Sequence, residues 1–219
     1  MYYESTKSGT ALVETMKRNN IWKIVEKELK ALRQRWEGPD VPIIILPSNT
    51  ADQNLMSDTN GKAGLAFSDK LFLLVPESIS SNELKALFTH EYNHVCRLWH
   101  TKNSENSLTL LDSIILEGIA EHAVRERLGE AYTASWTTLY SNEQLEKIWK
   151  TTILPKRNLM KSHPRHNQLL YGWRGVPKMA GYCVGYYLVE TFLNNNKLST
   201  FDIMTENAKV IADLTHSKN

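Results

Sequence analysis

Apolar residues recur with a helical rhythm from about Ser8 to Trp36, at Leu12, Val13, Met16, Ile21, Ile24, Val25, Leu29, Leu32 and Trp36. Asn19-Asn20 is a point where this helix can break or kink, and Gly38-Pro39 closes it. The β-branched run from Val41 to Leu46, ended by Pro47, predicts a strand. Asn60-Gly61 is a turn signal, followed by Leu65, Phe67 and then Leu71 to Val75, which read as one or two further strands. Helices dominate from there on. Ser80-Ser81-Asn82-Glu83 has the form of a capping box, so a helix should begin there and reach about His100. A polar break from Thr101 to Ser107 precedes a second helix of about Leu108 to Leu128, ended by Gly129. The stretch Pro155 to Pro177 is basic, aromatic and interrupted by proline, and reads as a loop. Ala180 to Asn194 is again helical, and the last residues predict a short helix with a frayed end. Helix, small sheet, then helices is an α+β order, with a helical segment over 1–38 packed as one unit with a domain over 39–219.

Composition narrows the class without choosing a function. The chain has 219 residues, 42% hydrophobic and 23% charged, values of an ordinary globular protein. Its formal net charge of +2 provides no field drawing it to nucleic acid or to an anionic membrane. The longest apolar run, Val41 to Leu46, is interrupted by Pro42 and far too short for membrane insertion. The N-terminal residues carry Glu4 and Glu14, lack an apolar stretch of signal-peptide length and read as the start of a helix. Two cysteines, Cys96 and Cys183, sit in apolar helical contexts and read as buried thiols, which makes the cytoplasm the expected location.

The sharpest chemical signal is His90-Glu91-Tyr92-Asn93-His94. Residues four apart on a helix lie one turn apart on one face, so both imidazoles can address one point. Neutral imidazole nitrogens ligate Zn²⁺, and a glutamate beside the first histidine can take a proton from water at the metal. Chance occurrence on a solvated face is the competing reading. The apolar neighbours Leu84, Leu87, Phe88 and Val95 speak against it, because unpaired polar groups are costly on a buried helix.

A catalytic zinc needs a third protein ligand. His100 nearly completes the H-E-x-x-H-x-x-G-x-x-H signature, but Arg97 stands where a chain-turning glycine belongs. On a continuing helix His100 points away, so it reads as a helix-end residue. Glu117, in Leu116-Glu117-Gly118-Ile119-Ala120-Glu121, follows after enough chain for a loop and a returning helix. Its neighbours Ile114, Ile115, Leu116 and Ile119 are apolar, an odd setting for a surface acid. Glu121 lies a turn further on the same face and suits a carboxylate that accepts the outer N–H of a ligating histidine. His122 is rotated off that face and reads as structural.

These residues resemble the gluzincin zinc peptidases, in which a His-Glu-x-x-His helix is followed by a helix bearing a glutamate ligand. Leu116 here replaces the usual asparagine before that glutamate. The chain is more closely similar to a bacterial family of predicted Zn-dependent proteases built around a domain of unknown function. The similarity runs through Glu117-Gly118 and the late Gly181-Tyr182-Cys183-Val184-Gly185-Tyr186 and covers roughly Val41 to Glu190. It implies a zincin-like fold, with a small mixed sheet whose edge strand lies over the active-site helix and a mostly helical C-terminal part. It also implies that Gly61 to Phe67 is that strand, so that Gly64, Leu65 and Ala66 would meet an extended peptide, with Gly64 allowing close approach. An oxyanion donor is implied as well. Tyr182 is the first choice, and His163, His166 and Arg174 are alternatives. Tyr182 can equally be a core tyrosine beside Tyr186, Tyr187 and Trp173, and His163 and His166 read more simply as parts of a solvated basic loop.

The expected function is therefore a zinc peptidase holding one Zn²⁺ per chain on His90, His94 and Glu117. Glu91 would be the general base, Glu121 an orienting carboxylate, and a peptide or protein the substrate. A non-catalytic zinc module on a peptidase-like fold is the alternative, although a structural site has no need of Glu91. A helical interaction protein with an accidental motif is the third reading.

Overall fold

Two helices, not one, open the fold. Asn20 adopts a left-handed conformation (φ 56°), which asparagine tolerates better than most residues, and this separates α1 (Gly9–Arg18) from α2 (Ile21–Trp36). Asn19 secures the break by donating its side-chain amide to the Glu77 carbonyl at 2.7 Å. The computed structural model describes residues 9–48, 61–103 and 105–214. The expected helical start before Gly9, the Asn60 half of the turn signal and the frayed C-terminus lie outside them. Gly61, with φ 75°, lies within.

Three short strands follow: β1 (Ile43–Pro47), β2 (Ala63–Ala66) and β3 (Leu71–Val75). The first begins two residues later than Val41, past Pro42, whose carbonyl accepts from Leu71 N–H. The order is β1-β3-β2, with β1 parallel and β2 antiparallel to β3, so the sheet is mixed and β2 is an edge. Alternation turns Leu71, Leu73 and Val75 into the core, where they meet Val25, Leu32 and Trp36 of α2.

Helix α3 (Ser81–Thr101) starts at the capping box formed by Ser80 and Glu83. It buries Leu84, Phe88, Tyr92 and Val95 in the same core as the sheet and the two N-terminal helices. Tyr92 stacks between Trp36 and Phe88, and its hydroxyl donates to the Pro39 carbonyl at 2.7 Å. Arg97 lies buried, its guanidinium donating to the carbonyls of Ile203, Met204 and Glu206. His100 bonds the Trp36 carbonyl at the end of α3.

A second core is built around α4 (Leu110–Leu128) and α7 (Ala180–Asn196). Thr109 and Asp112 form another capping box, which starts α4 two residues after Leu108. The pattern singles out nothing between Gly129 and Pro155, yet α5 (Asn142–Ile148) forms there on a Ser141/Gln144 capping box and runs into a π turn at Trp149–Ile153. The stretch expected to loop holds α6 (Pro164–Tyr171), with Pro164 in its first turn and His163 as N-cap. A short α8 (Ala208–Ile211) ends the described chain. No described helix is long and apolar enough to cross a membrane. Cys96 and Cys183 are buried free thiols, and burial pushes both up to about 12.

The backbones of α4 and α7 touch. A Cβ on Gly185 would stand 1.8 Å from the Ile114 carbonyl oxygen, and one on Gly118 would stand 2.4 Å from that of Gly185. Overpacking of this kind costs about 1–3 kcal/mol or more, and here backbone would have to move. Gly185→Ala should lower the thermal midpoint by roughly 5–10 °C. Gly9→Ala, where nothing lies within 4 Å of the new methyl, should leave it nearly unchanged. Thermal unfolding followed by circular dichroism checks both.

Candidate metal centre

The site lies on the seam between the two cores, where α3 faces α4. Helical spacing puts His90 and His94 one turn apart on α3, with ring centroids 4.7 Å apart and planes at 84°. Glu117 rises from α4 between them. Its Oε2 is 3.1 Å from His90 Nε2 and 3.4 Å from His94 Nε2. One ligand-capable atom from each of the three residues lies within 4.8 Å of the others. Zinc ligands at about 2.0–2.1 Å in a tetrahedron sit roughly 3.3 Å apart, so the donor spacing fits such an ion. His100 is tied elsewhere and is not part of this cluster.

Charges in the cluster are paired rather than solvated. Burial disfavours the His90 imidazolium, but hydrogen bonds to Glu117 and Glu121 outweigh it and hold the group well above its usual range. Burial pushes Glu117 up, yet the two imidazoles dominate and hold its carboxyl well below the carboxylate range. Glu121 bridges two groups. One oxygen is 2.8 Å from His90 Nδ1 and the other accepts the Ala134 N–H at 2.5 Å, which turns His90 Nε2 toward Glu117. No feature of the sequence marks Ala134, which reaches Glu121 only through the three-dimensional path of its loop. His94 lacks such a brace: its Nδ1 is buried with no hydrogen-bond partner among the described residues.

Glu91 lies beneath the edge strand. A Cβ on Gly64 would overlap its carboxyl carbon at 2.2 Å. A side chain at Gly64 would therefore collide with the acid packed against it. Ala66 points the same way into the core, whereas Leu65, 54% exposed, points to the opposite face. Burial raises the Glu91 carboxyl, and the neighbouring imidazoles offset part of that rise.

Of the four candidate donors, Tyr182 belongs to this neighbourhood. Burial, followed by the charge of Glu117 and to a lesser degree that of Glu91, pushes its hydroxyl well above the usual tyrosine value. Its ring packs against Trp136 and Tyr171, and through them it is joined to Tyr186 and Trp173 in one aromatic group. His163 caps α6 from an exposed position, and Arg174 is exposed. His166 is fully buried, contrary to the solvated-loop reading, because its Nε2 pairs with the Ser113 hydroxyl at 3.1 Å.

The seam thus brings together two imidazoles and a carboxylate that could hold a metal ion, and the comparisons place the chain in a family. The chain belongs to the family described as predicted Zn-dependent protease (DUF2268), whose model matches residues 21–213. It is 40% identical over 211 residues to the uncharacterized protein YjaZ of Bacillus subtilis, covering 96% of this chain and 81% of that protein. It is 23% identical over 146 residues to the uncharacterized YjfC of the same organism, covering 62% of this chain and 48% of that protein. No solved structure matches it.

His122 has the structural role expected of it. It stacks on Tyr186 at 3.9 Å and its Nε2 bonds the Tyr186 carbonyl at 3.0 Å. Burial holds it down at about 4, with that carbonyl opposing. The unfolded chain, with a histidine near pH 6.5, takes up the proton first, so this contribution is complete above about pH 6.5 and is lost as pH falls toward 4. By pH 5 the loss is about 2 kcal/mol. Urea midpoints for wild type and His122→Gln at pH 7.5 and 5 should show a shallower acid loss in the variant.

Proposed function

We propose that this protein is a zinc-dependent peptidase with a zincin-like fold, acting on peptides or proteins in the cytoplasm. The observation that carries the reading is the convergence of His90, His94 and Glu117 next to a glutamate held under an edge strand. The two buried free thiols agree with a reducing compartment.

His90 and His94 would hold the ion through Nε2, and Glu117 through a carboxylate oxygen. Zinc bound there supplies a Lewis acid that polarises a peptide carbonyl and makes water more acidic. Glu91 takes the proton of the attacking water and passes it to the departing amine, and its raised affinity for a proton suits both steps. Glu121 keeps His90 in one tautomer and orientation. The Tyr182 hydroxyl, still protonated at neutral pH, donates to the oxygen that gains charge. An extended peptide would add to the open edge of β2, through the backbone of Gly64, Leu65 and Ala66.

Bound zinc, measured in protein purified without chelator, should be one per chain. Glu91→Ala should keep it and Glu117→Ala should bind it more weakly, with casein cleavage lost in both. Tyr182→Phe should keep zinc and lose about 10²–10³-fold in kcat. Zinc without any cleavage would favour a non-catalytic zinc module on the same fold, and no zinc uptake in any form would sink the proposal.

Gly64→Ala separates the acid from the metal. The new methyl would displace Glu91 rather than a ligand, so zinc content should hold while casein cleavage falls by at least about ten-fold.

A further inference from the structure

At the rim of the site, Tyr171 and Trp173 form a stacked pair, with planes at 4° and centroids 5.7 Å apart. They are 41% and 45% exposed, a large aromatic surface left open to solvent. The pair is continuous with the site, because the Tyr171 ring lies 5.4 Å from that of Tyr182.

The segment that presents these rings is constructed, not slack. Gly172 (φ 76°), Arg174 (φ 53°) and Gly175 (φ 86°) all adopt left-handed conformations, and for Arg174 this is strained. Gln168 donates its side-chain amide to the carbonyls of Trp173 and Arg174, while Met179 N–H returns to the Tyr171 carbonyl at 2.7 Å. A Cβ on Gly172 would fall 1.7 Å from the Pro177 oxygen, so the turn is closed tightly.

Charge supplies the second observation. Between Glu146 and Glu190 the chain has eight Lys and Arg and no acidic residue. Since the whole chain is only +2, the remainder is net acidic, and the basic character is concentrated in this segment. Arg165 and Arg174 are exposed here and make no ion pair among the described residues.

We propose that Tyr171, Trp173 and Arg174 form a substrate subsite that seats an aromatic side chain of a peptide and pairs with a carboxylate of the same peptide. The inference rests on the peptidase reading above and names the substrate class. The ring pair offers a flat apolar wall, and the exposed guanidinium of Arg174, next in sequence to Trp173, offers a fork for a carboxylate. A basic and aromatic surface also suits single-stranded nucleic acid. The open edge of β2 beside Glu91 suits an extended peptide backbone, which favours the peptide.

The test uses internally quenched peptides that differ at one position, Phe or Ala, with Asp or Lys beside it. Zinc-loaded wild type should cleave the Phe/Asp peptide about ten-fold better in kcat/KM than the Ala/Asp or Phe/Lys peptide, mainly through KM. Trp173→Ala should collapse the Phe-to-Ala ratio toward one, and Trp173→Phe should restore much of it. Arg174→Glu should reverse the Asp-to-Lys preference. Fluorescein-labelled versions of the peptides, and of a twelve-residue oligothymidine, are titrated against zinc-loaded Glu91→Gln by anisotropy. The same peptide preference in binding, with no cleavage by wild type, would support the subsite while removing the peptidase reading. Cleavage without preference, or with preferences that these variants leave unchanged, would overturn the subsite and leave the peptidase. Tighter binding of oligothymidine than of the Phe/Asp peptide, weakened by the same variants, would overturn it in favour of nucleic acid.

Discussion

Burying charge requires partners, and that requirement organises this protein. His90, His94, Glu117 and Glu121 lie in the seam between α3 and α4, where an unpaired ionised group would be costly. Glu117 stands between two imidazoles, and Glu121 joins His90 to the Ala134 N–H. These contacts hold only if the two helices keep one separation and one register. The spacing on the α4 side is set by the next residue along, since Gly118 brings α4 against the backbone of Gly185 on α7. A contact with no chemistry of its own therefore positions the carboxylates.

On the α3 side the same job falls to buried polar anchors. Arg127 of α4 pairs with Glu28 of α2 at 2.7 Å and also reaches the Thr89 hydroxyl, which ties three helices beside the site. Arg97 clamps three carbonyls near the C-terminus, and burial lowers it to about 10 without discharging it at neutral pH. Removing one partner of such a pair typically costs about 3–5 kcal/mol, because the other is left buried and alone. Arg97 stands where a metzincin would have its turn glycine. It fixes the end of α3 against residues 203–206, while His100 on the same helix is held by the Trp36 carbonyl.

What was legible in the sequence was local. Ser80 and Glu83 mark the start of α3 because a capping box is a four-residue device, and His90 and His94 share a face because helical geometry is regular. Glu117 and Glu121 could be read the same way once α4 was recognised. What was hidden depends on distant partners. His166 looked solvated in a run of basic and polar residues, and only the path of α6 past Ser113 buries it. The Ala134 N–H has no sequence mark at all. Gly64 stands out in the sequence as a glycine in a strand, but its contact with Glu91 of another element has no local mark.

The two sides of the site differ in how they are built, and that difference bears on how such a protein can change. The acids and imidazoles project from long helices locked by glycine contacts, ion pairs and caps, so displacing any of them disturbs both cores. Tyr171, Trp173 and Arg174 sit on a short segment held by its own turns, with its rings facing solvent. Substitution there alters what the rim meets and leaves the seam intact. The His90, His94 and Glu117 cluster is thus tied to the fold as a whole, while the rim rests on a few residues that can be exchanged, and Tyr182 is the point where the two meet. Its hydroxyl feels the charges of Glu117 and Glu91, and its ring packs against Tyr171, so any change at the rim that tilts this ring reaches the acids of the seam.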